Sequence, residues 1–116
     1  MRTLWVTGII IAFTVVGGVN DAKASFLTGM QLLQRCESDS IAKQNTCTGY
    51  LIAIDDMANT YDEWGDLSKE FCIPPGIESA QLEKVVIKGL NAIPEKLHVS
   101  ASGLVWNIFY YAFPCD

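Results

Sequence analysis

The 116-residue sequence is poor in the groups that most catalytic and metal-binding sites need. It holds one histidine, His98, and no Cys-x-x-Cys pair, so a zinc site is poorly supported. No glycine-rich phosphate loop and no metal-ligand pair at helical spacing occurs, which removes the usual nucleotide and metalloenzyme signatures. Basic residues number 8 against 13 acidic ones, for a formal net charge of −5. Without a Lys/Arg cluster, neither nucleic acid nor an anionic membrane surface is a suitable partner. A basic protein partner fits the charge. No stretch alternates apolar and polar residues with period two, so no sheet is expected. Internal repeats, low-complexity tracts and internal domain boundaries are also missing.

What is present begins with an export signal. Arg2 gives a positive start, Leu4 to Val16 is apolar, and Ala22-Lys23-Ala24 is a small-x-small site before Ser25. These features predict a signal peptide over residues 1–24, cleaved after Ala24. A retained anchor is the alternative, but Leu4 to Val19 is shorter than the ~20 residues a spanning helix needs. No cysteine lies near the cleavage site to carry a lipid. The expected product is one periplasmic domain, residues 25–116, with no membrane attachment after cleavage. At about 90 residues its core is small enough to benefit from cross-links.

All four cysteines, Cys36, Cys47, Cys72 and Cys115, follow the cleavage site. An even count in a small exported domain reads as two disulfides, for which three pairings exist. The favoured pairing joins Cys36 to Cys47 across a short turn between two helices, and Cys72 to Cys115, tying a long loop to the chain end. The crossed arrangement, Cys36 with Cys115 and Cys47 with Cys72, is its main rival.

Four helices are expected, giving an all-α fold: a small four-helix bundle stapled by two disulfides. Thr28 and Gln31 fit a capping box opening a first helix over roughly 28–37. Glu37 to Ser40 breaks it. Cys47, Tyr50, Leu51, Ile54, Met57, Ala58 and Tyr61 form the stripe of a second helix. Gly49 within it costs ~1 kcal/mol against alanine, which suggests that another helix backbone passes close by. Asp55 falls at the flank of the stripe and is expected to be partly buried, holding a loop amide. Tyr61 to Gly76 then has no sustained period and is expected to be the longest connection. Ile77 and Leu82 can staple across a cap at Glu78. Leu82, Val85, Val86, Leu90 and Ile93 continue a third helix to Pro94, which ends it.

The last helix runs from Ala101, after a cap at Ser100, to Pro114. Ala101, Leu104, Val105, Ile108, Phe109 and Ala112 make one apolar face, and Trp106, Tyr110 and Phe113 are expected to cover a second. A helix apolar over most of its circumference has to be enclosed, by its own domain or by a second copy. Trp106, Tyr110 and Phe113 are therefore expected to be structural, and a homodimer is expected on the same ground.

No catalytic residues, metal ligands or cofactors are assigned. With the cysteines oxidised, no thiolate remains to pair with His98. Ser100 and Ser102 lie beside His98 in sequence, but a triad needs groups assembled in space around a buried orienting acid. The acids Asp62, Glu63, Asp66 and Glu70 are dense but lack the spacing of a calcium loop. The residues by themselves describe an exported binding module rather than an enzyme.

One order of residues goes further. Cys47-x-Gly49-Tyr50, Asp55, Phe71-Cys72-Ile73-Pro74, Gln81-Leu82, Pro94, His98, Leu104-Val105 and Ala112-Phe113-Pro114-Cys115 together resemble the Rap/Tai immunity proteins. The resemblance runs from about Phe26 to Cys115. Glu78 stands where that family usually has a Thr or Ser cap, and Ser100 where it usually has proline; both departures touch helix starts. The resemblance implies an all-helical, often dimeric periplasmic inhibitor. It would bind and block the cleft of a Cys-His peptidoglycan amidase effector delivered by type VI secretion. A small helical periplasmic chaperone, or another stress-related binding protein with no toxin partner, is the alternative. An adjacent amidase reading frame would discriminate the two.

The partner is expected on the segment Tyr61 to Glu70, with Trp64 as anchor and Tyr61, Asp62, Glu63 and Asp66 around it. Trp and Tyr dominate interface hot spots, and acids steer a basic partner. The turn from Asn91 to His98 is the alternative surface. The plain alternative for the loop is that Trp64 folds back onto the domain and the acids are merely solvated.

Overall fold

The computed structural model describes residues 26–116; the expected signal peptide and its cleavage site lie outside the described residues. The helices are α1 (Gly29–Cys36), α2 (Ile41–Trp64), α3 (Ser79–Asn91) and α4 (Ala101–Ala112), with a single 3-10 turn at Pro94–Lys96. Among the described residues there is no strand, only an isolated bridge between Thr28 and Ser100. Every helix packs against the other three. Their shared core is led by Leu32, Leu51, Val86, Leu90, Val105 and Phe109, all essentially inaccessible to solvent.

The capping box at Thr28 and Gln31 forms as the residue types predict, each side chain accepting from the other's amide. The remaining free amides at the start of α1 are satisfied by the chain just before α4. Gly29 N–H donates to Val99 at 2.9 Å and Met30 N–H to Leu97 at 2.9 Å. In return the Ala101 N–H at the start of α4 donates to Leu27 at 2.9 Å. Two helix N-termini thus satisfy each other's orphan groups. Ser100 is the N-cap of α4 by position but makes no side-chain cap bond; its hydroxyl pairs with that of Ser102 at 3.0 Å.

The disulfides are Cys36–Cys47 and Cys72–Cys115. Cys47 lies well inside α2 rather than at its start, because α2 begins at Ile41. Residues 41–46 are all exposed, so no apolar period announces their helical turn. The same reason hides the other end: α2 continues through Tyr61 to Trp64, past the last buried position of its stripe at Ala58. The long connection therefore starts at Gly65, not at Tyr61.

Gly49 is exposed and no described side chain or neighbouring backbone comes within 4 Å of where its Cβ would be. The close approach expected there occurs elsewhere. A methyl group on Gly29 would stand 2.5 Å from Leu104 and 3.3 Å from the Leu97 backbone, and one on Gly89 would stand 2.7 Å from Ile108. α4 presses against α1 and α3 through these two glycines. It is not enclosed all round: Tyr110 is 46% and Tyr111 81% exposed. Trp106 and Phe113 pack onto the core from within, so only part of the second face expected to need cover is left bare. Tyr110 is a surface residue, not a core one; it lies on the face of α4 turned away from the buried Val105 and Phe109, where a phenol can keep its hydroxyl in water.

Candidate partner-binding site

The end of α2 brings Tyr61, Asp62, Glu63, Trp64 and Asp66 together on one helical turn and its cap. Gly65 closes the helix in the left-handed conformation, φ 74°, with its N–H directed at Asp62 and Tyr61 carbonyls. A glycine is the residue that takes this conformation without a Cβ penalty. The Asp66 N–H returns to the Tyr61 carbonyl at 3.0 Å. Trp64 is 68% exposed, and its nearest aromatic neighbour is Tyr61, one turn back, edge-on at 6.5 Å. The indole therefore does not fold into the core.

This turn is electrostatically one-sided. The last turn of α2 has no basic side chain and holds Asp62 and Glu63, with Asp66 just beyond. The C-terminal end of a helix is the negative end of its dipole, where an acid is disfavoured by about 0.3–1 kcal/mol. The carboxylates thus add to the dipole's negative potential instead of compensating it. All three are exposed, and so reachable by a basic surface.

Behind the turn the chain is tied down. Burial pushes the Asp55 carboxyl above its ordinary value; Asp56 adds to this, while Lys69 and the side chain of Asn59 pull it back. Asp55 is thus partly buried as its position on the stripe implies, but its neighbours are Lys69 and Asn59, and no loop amide bonds to it among the described hydrogen bonds. Glu70 accepts from the Trp106 indole N–H at 2.6 Å. Phe71 is fully buried, edge-on to Trp106 at 5.0 Å and tilted against Phe109 at 5.4 Å. Cys72 N–H donates to Phe113 at 2.8 Å, and the disulfide to Cys115 follows. Sequence reasoning missed Phe71 as core because it stands alone in an irregular stretch. Its one available signal was a Phe-Cys-Ile run amid polar residues.

Two concave regions lie elsewhere. A groove of about 650 Å3 runs between α3 and α4, and a recess of about 430 Å3 is formed by Lys69, Glu70, Tyr110, Tyr111, Pro114 and Cys115. Asn91 to His98, the alternative surface, is mostly exposed, but Leu97 within it is buried against the start of α1. His98 is exposed and Ser100 and Ser102 are occupied with each other. Among the described residues no group of three metal-ligating side chains converges and no buried polar or charged residue occurs. No helix among them is long and apolar enough to cross a membrane.

The arrangement is that of a cross-linked helical scaffold presenting an acidic, tryptophan-bearing turn, and comparison with known proteins bears on what such a scaffold is for. No curated protein matches the chain. The family profile described as Rap1a immunity proteins matches residues 28–115, nearly the whole described region and both disulfides. The chain belongs to the Rap1a immunity protein family.

Proposed function

We propose that this protein is exported to the periplasm and there binds and blocks the active-site cleft of a peptidoglycan amidase effector, acting as an inhibitor and not as an enzyme. The family match over residues 28–115 carries this reading. The two disulfides support an oxidising compartment, and residues 1–24 would serve as the cleaved signal peptide of a single-domain product. The contact surface in this reading is the end of α2 with its cap, Trp64 as anchor and Asp62, Glu63 and Asp66 as steering charges. Its support is the exposure of Trp64 beside three exposed carboxylates on a turn with no basic side chain of its own.

The test is inhibition of the candidate amidase by Trp64→Ala and by the triple variant Asp62→Asn, Glu63→Gln, Asp66→Asn, with circular dichroism confirming the fold. Trp64→Ala is expected to weaken binding by about 2 kcal/mol or more. The triple variant is expected to lower the association rate and its salt sensitivity. Wild-type inhibition by both folded variants would remove this turn as the contact. Homodimerisation is proposed through the Tyr110 side of α4, beside Lys69 and Pro114. Light scattering at micromolar concentration decides it, a monomer counting against.

A further inference from the structure

The groove between α3 and α4 has the opposite character to the end of α2. Its apolar walls are Val85, Ile93 and Ile108, with the buried Leu104 at its base, and its charged lining consists of Lys88 and Lys96. No carboxylate lines it, although the chain carries 13 acidic residues against 8 basic ones. Both lysines are exposed, whereas Val85, Ile93 and Ile108 are half-buried. The floor is set by Gly89, which lets Ile108 lie directly against α3. Along α4 the lining runs from Leu104 to Ala112, roughly 12 Å at the rise of an α-helix.

We propose that this groove docks an acidic amphipathic helix of a partner protein, its apolar face on Val85, Ile93 and Ile108 and its carboxylates on Lys88 and Lys96. Anchors at i, i+4 and i+7 of a helix span roughly 10 Å, which matches the length of the trough. The charge pattern selects the occupant. Outside Lys88 and Lys96 the chain holds all 13 acidic residues against 6 basic ones, so an acidic segment is repelled by most of the surface and attracted at this lysine pair, and charge favours its landing here. A small amphiphile fits less well, because small-molecule sites enclose most of their ligand and this trough is open along two helices. The acidic end of α2 cannot take the same partner, so the inference does not depend on the amidase reading.

The probe is a fluorescein-labelled, hydrocarbon-stapled helix of roughly 14 residues with leucines at i, i+4 and i+7 and glutamates elsewhere. Fluorescence anisotropy with the purified protein is expected to show saturable binding. Lys88→Glu with Lys96→Glu, and separately Ala92→Glu, which places a carboxylate at an exposed lining position, are each expected to weaken it about tenfold or more. Neutralising Asp62, Glu63 and Asp66 should leave it unchanged or slightly stronger. Circular dichroism confirms that each variant is folded, and Lys88→Gln with Lys96→Gln replaces the reversal should that one unfold. Equal binding of a scrambled peptide or of its lysine counterpart, or indifference to the groove variants, overturns the proposal. It is also overturned if sedimentation shows a self-associated protein that Ala92→Glu makes monomeric, since the occupant is then a second copy. Lysine-dependent binding to phosphatidylglycerol vesicles without peptide binding would assign the groove to lipid and overturn it too.

Discussion

Phe71 is the largest fully buried side chain outside the helices among the described residues. It is fully buried against Trp106 and Phe109 and anchors the chain between the acidic turn and the second disulfide. Phe71→Ala should cost about 3–5 kcal/mol, measured as a drop in the urea midpoint. Asp55 makes a different prediction. Its carboxyl is raised chiefly by burial, so the folded state holds the proton more tightly than the unfolded chain. Its contribution is then fully present below the unfolded pKa and is lost as pH rises through the folded one. Asp55→Asn should therefore raise the melting temperature at pH 7, with the gain fading as pH falls toward the ordinary carboxylate range, about 4.

At the scale of elements, glycines mark where helices touch and where they do not. Gly29→Ala forces a methyl group against Leu104 and the Leu97 backbone. Overpacking of this kind costs about 1–3 kcal/mol, and here it also strains the amides shared by the starts of α1 and α4. Gly49→Ala meets nothing in the described structure and should stabilise α2 by about 1 kcal/mol. Denaturant titration of the pair gives opposite signs if this is right. α2 also shows why a helix can outrun its apolar stripe. Its first and last turns project beyond the core, so their residues face water while the backbone ladder continues to the Gly65 cap.

For the whole molecule the two cross-links act on different parts of the unfolded chain. Cys36–Cys47 closes a separation of 11 residues and Cys72–Cys115 one of 43. Chain-entropy estimates give about 3 and about 4 kcal/mol respectively. Replacing both cysteines of the second pair by serine should lower the melting temperature more than replacing both of the first, as read by calorimetry. The charge distribution is also a property of the whole: acids gather on the end of α2, and Lys88 and Lys96 line the groove between α3 and α4. The end of α2 and this groove thus carry charge of opposite sign.

The number of helices, the capping box at Thr28, the stop at Pro94 and the all-α class were legible in the sequence, because each is set by residues within a turn or two of each other. The pairing of cysteines was legible as a preference with one rival, since a short turn between two helices leaves little freedom. Long-range geometry was not legible. Which glycine carries a close approach depends on the helix opposite, and that is why Gly29 and Gly89, not Gly49, have neighbours pressed against them. Whether an aromatic on α4 is covered depends on what reaches it: Phe71 and Glu70 come back from a loop to cover Trp106, and nothing equivalent covers Tyr111 among the described residues. The candidate site divides the same way. Its residue types and order were plain in Tyr61 to Asp66, whose helical turn is closed locally by Gly65, whereas the exposure of Trp64 and the lysine-lined groove assembled from two helices were decided only by tertiary packing.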